Sequence, residues 1–274
     1  MSFAILTDTT RCTGCNLCVD ACVEINRLAP DVRYPWRQPD GLNGARYCSV
    51  VSVPGNRWIR LLCRHCLEPA CVAACPVGAL HKTEEGPVVY DRDICMGCRY
   101  CMMACPYHIP RYMWEENVPY ISKCTMCYDS LHSGEVEQPA CTEACPEQAT
   151  VFFRSRRDAL AEARRRISDN PGRYFDDRIW GEHQVGGTSV LYISDVDLDL
   201  LVSPGHRELG DEPLPLYTER ILSTVPATFV SVCAVMAGTY LFLKRRDRVM
   251  AEERSSEEHS TSFEQPDPPG RTSS

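Results

Sequence analysis

Sixteen of the eighteen cysteines in this chain fall into four groups of four. Cys12, Cys15, Cys18 and Cys22 are spaced C-x2-C-x2-C-x3-C. Cys63, Cys66, Cys71 and Cys75 read C-x2-C-x4-C-x3-C, followed by Pro76. Cys95, Cys98, Cys101 and Cys105 repeat the first spacing and precede Pro106. Cys124, Cys127, Cys141 and Cys145 widen the middle gap to thirteen residues and end at Pro146. Thiolate is the donor of iron–sulfur chemistry, and C-x2-C-x2-C-x3-C-P is the run that ligates 4Fe–4S cubanes. One full run of this kind and three variants of it imply four clusters on sixteen thiolates, and so electron conduction.

The spacing sets out how the chain must bend. Three cysteines two residues apart wrap a tight loop around one corner of a cube, with backbone N–H groups turned toward sulfur. The fourth cysteine is expected to begin a departing helix, whose first turn the proline suits. In two-cluster proteins that fourth cysteine ligates the neighbouring cluster, so motifs work in pairs. Each cluster keeps net negative charge, and the apoprotein is already at −8. Burying that charge requires dipoles and cations facing it. Arg11, Arg64, His65, Arg99, Arg111 and Lys123 sit beside ligand cysteines, either tuning potentials or standing on the surface as solvated cations. Cys48 reads as a buried thiol near a turn, and Cys233 as a small apolar residue in an apolar run. Zinc favours widely separated C-x2-C pairs, and disulfides seldom close between cysteines three apart, so neither explains the triples.

Around the motifs the chain supplies mixed elements. Tyr47–Val53 and Arg57–Leu62, joined by Pro54-Gly55-Asn56, read as a hairpin. Ala79-Leu80-His81, the Glu84-Glu85-Gly86 turn and Pro87–Tyr90 read as a second, between motifs two and three. Those two motifs therefore form one unit, and motifs one and four the flanking one. The loop around Tyr34-Pro35-Trp36 and Pro39-Asp40-Gly41 is an insertion, either of the kind that docks partners or ordinary surface-loop variation. Val151–Phe153 reads as a strand and Asp158–Ile167 as a helix. In that helix Leu160, Ala163 and Ile167 share one face and the arginines the other. Thr188–Ser194 reads as a further strand. Asp195–Pro215, acidic and Pro-rich, has linker character. His65, His81, His108 and His183 are single histidines, read as structural, with His108 placed to hydrogen-bond near a cluster or the quinone side.

Ile221–Leu243 contains no Asp, Glu, Lys, Arg or His. That length crosses a bilayer with some tilt, and Pro226 near its start is tolerated there. Lys244-Arg245-Arg246-Asp247-Arg248 follows at once, which by the positive-inside rule puts the tail in the cytoplasm and the cluster domain in the periplasm. The reverse orientation makes the basic run an interface anchor only. Met1–Thr10 shows neither a signal-peptide pattern nor a twin-arginine motif, so export in company with a partner is expected. Ala251–Ser274, rich in Glu, Ser and Pro, is expected to be disordered.

The strings CMGCRYCMMACPYHIPRY at 95–112, KCTMCYD at 123–129 and ACTEACPEQATVFF at 140–153 resemble one family. It comprises the four-cluster iron–sulfur (beta) subunits of membrane-bound respiratory enzymes, in the dimethyl sulfoxide reductase group and in periplasm-facing nickel–iron hydrogenases. The resemblance covers about residues 5–243. NPGRY at 170–174, GEHQVGGTSVLYIS at 181–194 and the single C-terminal span are more like the formate dehydrogenase and hydrogenase members. The resemblance implies an α+β fold of two pseudo-symmetric ferredoxin-like two-cluster units plus one C-terminal transmembrane helix. It also implies four ligand sets. Cys12, Cys15 and Cys18 join Cys145; Cys22 joins Cys124, Cys127 and Cys141; Cys63, Cys66 and Cys71 join Cys105; Cys75 joins Cys95, Cys98 and Cys101. Relatives place the unit of motifs one and four near the catalytic subunit and the middle unit near the membrane subunit.

The expected role is an electron-transfer subunit with no catalytic residues of its own, since no phosphate loop, nucleotide fingerprint or nucleophile–base pattern is present. Its partners are expected to be a molybdopterin or nickel–iron catalytic subunit and a cytochrome b or quinone-reactive membrane subunit. The composition, with no basic surplus, excludes nucleic acid. A stand-alone membrane-tethered polyferredoxin and a protein whose clusters are purely structural are the alternatives. The expected division is a cluster domain over 1–153, an extension and linker over 154–215, an anchor over 216–243 and a tail over 244–274.

Overall fold

In the computed structural model, residues 2–28, 40–53, 55–114, 120–199 and 210–261 are described. The inserted loop around Tyr34-Pro35-Trp36 lies outside them. The protein forms two compact units, Met1–Tyr217 and Thr218–Ser274. The first mixes helices and strands.

A three-stranded sheet joins the ends of the first unit. β1 (Ala4–Asp8), just before motif one, runs antiparallel to β8 (Thr150–Phe153), just after motif four, and parallel to β9 (Val190–Ile193). β1 is buried throughout. Its side chains alternate between two cores, as the two-residue strand period requires. Ala4 and Leu6 join Leu191 and Ile193 against α6 (Arg156–Ser168), and Ile5 joins Val190 and Tyr192 on the face toward the cysteine loops. α6 offers Ala159, Ala163 and Ile167 to the sheet at the spacing of one helix face. Arg166 departs from the expected outward set. It is buried and pairs with Asp8 at 3.3 Å.

Both expected hairpins form. β2 (Cys48–Val53) pairs with β3 (Arg57–Leu62), and β4 (Leu80–Lys82) pairs with β5 (Val88–Tyr90). A third pair, β6 (Arg111–Tyr112) with β7 (Ile121–Ser122), follows motif three. The helices of the motifs pack in twos: α1 (Leu17–Ile25) on α5 (Ala140–Glu143), and α2 (Ala70–Ala73) on α3 (Tyr100–Ala104). α4 (Tyr128–His132) fills the long gap of motif four.

Three expectations do not hold. The fourth cysteine does not begin a helix. The third does, and the helix ends at or before the fourth in motifs two to four. Cys105, with ψ 113, is already extended at the end of α3. The following proline clashes with a helical conformation at that residue and stops the helix there. Second, the described parts of 195–215 are docked. Asp195 pairs with Arg57, and Asp199 accepts from Trp180 Nε1 at 3.0 Å and Arg178 at 2.7 Å. The Gly210 and Asp211 carbonyls accept from the Val185 and Gly186 N–H groups. Their acidity serves as acceptors rather than as solvated linker. Third, the tail is not disordered from Ala251.

That last point belongs to the second unit. α7 (Leu214–Leu222) leads to α8 (Val225–Thr261), with a turn at Ser223-Thr224. Pro226 sits in the first turn of α8, where no N–H is required. Residues 214–255 include a stretch long and apolar enough to cross a membrane, and its most apolar part is exposed. α8 continues beyond Leu243 because the arginines, glutamates, Met250 and Ala251 that follow are strong helix formers. Residues 262–274 lie outside the described set.

Candidate cluster-binding site

The loop between the first two cysteines is the same in all four motifs. The residue before the second cysteine is left-handed each time: Gly14 (φ 75), His65 (φ 48), Gly97 (φ 73) and Met126 (φ 62). Such a residue turns successive N–H groups to one side and makes an anion-binding concavity. Met126 N donates to Cys124 Sγ at 3.2 Å, and the Gly14 N–H reaches Cys12. Gly14 has a second reason to be glycine: a Cβ there would meet the Trp58 ring at 2.5 Å. A second shared turn follows the C-P steps. Gly78, His108 and Gln148 are left-handed and donate to the carbonyls of Cys75, Cys105 and Cys145. Beyond that turn, the N–H groups of Tyr107 and Ile109 reach Cys105. Burial raises Cys75, but the N–H groups of Leu80, Val77, Ala79 and Gly78 outweigh it and hold that thiol below its usual range.

The folded loops bring all sixteen thiols into four groups. Cys12, Cys15, Cys18 and Cys145 line one cavity, because the β1–β8 pairing sets the first motif beside the fourth. Cys22, Cys124, Cys127 and Cys141 line a second, with Cys48. Cys75, Cys95, Cys98 and Cys101 line a third. Cys63, Cys66, Cys71 and Cys105 form the fourth group, each within electrostatic reach of the others. The groups also adjoin one another: Cys18 feels Cys141, Cys124 feels Cys63, and Cys101 feels Cys71.

These thiols suit a bound cation and little else. Burial pushes Cys18, Cys71 and Cys101 up to about 12, and Cys105 and Cys127 to about 11. Cys66 and Cys124 are likewise pushed well above the usual thiol range by burial. Such groups give up their protons to metal rather than to water. No disulfide joins any of the eighteen cysteines. Among the described residues no three of His, Cys, Asp and Glu converge tightly enough for a single metal ion. Three of the four groups line cavities, as ligands of a cubane must. The residues therefore fit 4Fe–4S clusters.

The flanking cations divide. Arg64 is buried, its guanidinium 3.8 Å from the Tyr192 ring centre, and Lys123 is buried, its ammonium bonded to the Val88 and Cys124 carbonyls. For these two the solvated-surface reading fails. Arg11 approaches Asp8 at 3.6 Å, Arg111 pairs with Asp40, and Arg99 lies over Trp114. His65 is fully buried and accepts from Val88 N at 2.9 Å through Nδ1, tying motif two to β5. Its charged form is disfavoured by burial and by Lys123 and Lys82. His81 and His108 are exposed, and His183 meets Glu182. Cys48 is buried at the head of β2, where its thiol contacts the Cys18 carbonyl and bonds with Cys22. Cys233 is exposed on α8.

Residues 57–155 match the 4Fe-4S dicluster domain family. The hydrogenase-2 operon protein HybA of Escherichia coli O157:H7 is 31% identical over 287 residues, covering 90% of this chain and 85% of that protein. The chain is an iron–sulfur subunit of the respiratory oxidoreductase family. A protein of Nitratidesulfovibrio vulgaris is 38% identical over 93% of the chain and 70% of its own length. A subunit of the anaerobic dimethyl sulfoxide reductase of Escherichia coli K12 is 38% identical over 55% of the chain and 72% of its own length. As a member of this family the subunit carries 4Fe–4S clusters and transfers electrons.

Arg60 and Asp8 belong to no motif, and the spacing of the cysteines does not point to them. Both are buried charges on strands, and the signal for Arg60 was a lone cation among Ile59, Leu61 and Leu62.

Proposed function

We propose that the four thiol groups hold four cubanes as a wire. Its order runs from the cluster of Cys12, Cys15, Cys18 and Cys145 to that of Cys22, Cys124, Cys127 and Cys141. It continues through Cys63, Cys66, Cys71 and Cys105 to Cys75, Cys95, Cys98 and Cys101. The observation that carries this reading is that the groups lie within electrostatic reach of one another in succession, Cys18 of Cys141, Cys124 of Cys63 and Cys101 of Cys71. The packing of α1 on α5 and of α2 on α3, with the turns shared among the motifs, supports two pseudo-symmetric two-cluster units. In each of them the chain positions sulfur with left-handed turns and N–H donors, and the bound cluster supplies the one-electron couple.

The electron donor is proposed to be a hydrogenase-type catalytic subunit. The likeness to HybA runs over 90% of the chain, whereas that to the reductase subunit covers 55%. None of these three relatives is named as a formate dehydrogenase subunit. The acceptor is proposed to be a membrane subunit that receives electrons at the fourth cluster of the row. Around that cluster's ligands Ile94, Met96, Tyr100, Met103 and Trp114 are exposed, Met96 by 65% and Met103 by 84%. Exposed large apolar side chains gathered in and beside one motif suit a docking face for an apolar partner. The double substitution Met96→Glu/Met103→Glu is expected to abolish electron delivery to quinone while cluster content and reduction by the donor persist. Unchanged quinone reduction would sink the docking assignment.

Anchoring follows from α8, and the basic run after Leu243 supports a cytoplasmic tail with the clusters in the periplasm. Deleting residues 218–274 is expected to release the protein from the membrane fraction with its iron unchanged, because all sixteen thiols lie in the first unit. Release of the full-length protein from membranes in cells lacking both partner subunits would refute the anchor. Recovery of the native protein in mild detergent without any catalytic subunit would favour the stand-alone polyferredoxin.

A further inference from the structure

Arg60, on β3, is 2% exposed. Its Nη2 donates to Thr150 Oγ1 at 2.8 Å, but Nε and Nη1 are buried with no hydrogen-bond partner among the described residues. The nearby groups that stabilise its charge are Cys141, Cys18, Cys48 and Tyr192, and no carboxylate is among them. A buried guanidinium with two unpartnered donors, whose one further hydrogen bond is to the Cys141 thiol and which faces no carboxylate, is a standing cost.

The geometry shows where the missing anions belong. Arg60 is a wall of the cavity lined by Cys12, Cys15, Cys18 and Cys145. Its charge also reaches Cys127 and Cys141 of the second group. One cation thus stands between two thiol quartets. The Thr150 bond fixes one edge of the fork on β8 and leaves the other donors for those quartets.

Resting on the ligand sets proposed above, we propose that Arg60 donates hydrogen bonds to sulfur of both clusters of the first pair. It thereby raises their two reduction potentials together. Taking up an electron makes a cluster more negative, and a fixed buried cation favours that state. Arg60 acts through the clusters and is a positioning and tuning residue. A role confined to holding β3 against β8 would need the Thr150 bond alone.

The test is a potentiometric titration of the full-length protein in its complex, followed by EPR, for Arg60→Met and Arg60→Lys. The two relevant signals are those that vanish in Cys15→Ala and in Cys127→Ala. With iron and sulfide unchanged, Arg60→Met is expected to lower both potentials. The reduced-to-oxidised ratio at fixed potential should fall at least tenfold, about 59 mV for a one-electron couple. The other two signals should stay in place. Arg60→Lys keeps charge without the planar fork and should move the same two signals by less. Full iron with both potentials unmoved, or with all four moved alike, overturns the proposal. Should Arg60→Met lose iron, Arg60→Lys decides: two shifted signals uphold the proposal, and none overturns it. Deficient iron in the unmutated protein would instead sink the ligand sets themselves.

Discussion

Replacing Cys105 by alanine is expected to remove the same cluster as replacing Cys66, and to spare the one lost with Cys98. In the sequence Cys105 completes a run with Cys95, Cys98 and Cys101. In space it stands with Cys63, Cys66 and Cys71, and the N–H groups of Tyr107 and Ile109 converge on it there. α3 carries the backbone from one group to the other, with Cys101 inside the helix and Cys105 just past it. Each single variant should lose roughly four irons and one EPR signal. Cys66→Ala/Cys105→Ala should lose no more than either alone, whereas Cys98→Ala/Cys105→Ala should lose roughly eight. Losses that add for Cys66 and Cys105 would assign Cys105 to its sequence neighbours and break the proposed order of the wire.

The largest expected effect on stability is at Asp8. Its carboxylate is wholly buried at the end of β1. It accepts from Thr10 N at 3.1 Å, Thr10 Oγ1 at 2.6 Å and Tyr174 OH at 3.0 Å, and pairs with buried Arg166 at 3.3 Å. Removing it leaves buried Arg166 paired with Glu162 at 2.8 Å but leaves the Tyr174 hydroxyl without its acceptor, at a cost of about 1–3 kcal/mol. Asp8→Ala should therefore weaken the protein by that much in anaerobic denaturant unfolding. Its first visible loss should be iron from the cluster nearest Cys12, which follows closely in sequence. Adding Arg166→Met removes the cation that Asp8 faced, so the double variant should lose less than the sum of the two single losses, a coupling that independent sites would not show. Losses that simply add would mean that Asp8 acts through Thr10, Tyr174 and Arg11 rather than through Arg166.

Much of the site was legible because iron–sulfur ligation is written in local spacing. The gaps between cysteines gave sixteen candidate ligands, and the Glu84-Glu85-Gly86 turn gave the hairpin that separates the middle motifs. Two kinds of feature were not legible. Left-handed backbone is announced by glycine at Gly14 and Gly97, but His65 and Met126 take the same conformation without that mark. There the tertiary setting overrides a residue's local preference. Long-range charge compensation was equally hidden. Asp8 and Arg166 are far apart in the sequence, and neither predicts the other until β1 and α6 are packed. The acidic run after Ser194 misled for a related reason, since composition does not reveal that Asp195 and Asp199 have arginine and indole partners in the fold.

The pairing of β1 has a bearing on how the protein is made. Its two neighbours, Thr150–Phe153 and Val190–Ile193, are translated long after it. A nascent polypeptide emerging from the ribosome can close the β4–β5 hairpin and its adjoining loops early. The first strand must wait unpaired until most of the polypeptide has emerged. Cofactor loading is therefore expected to proceed from the middle outward, with the N-terminal cavity sealed last.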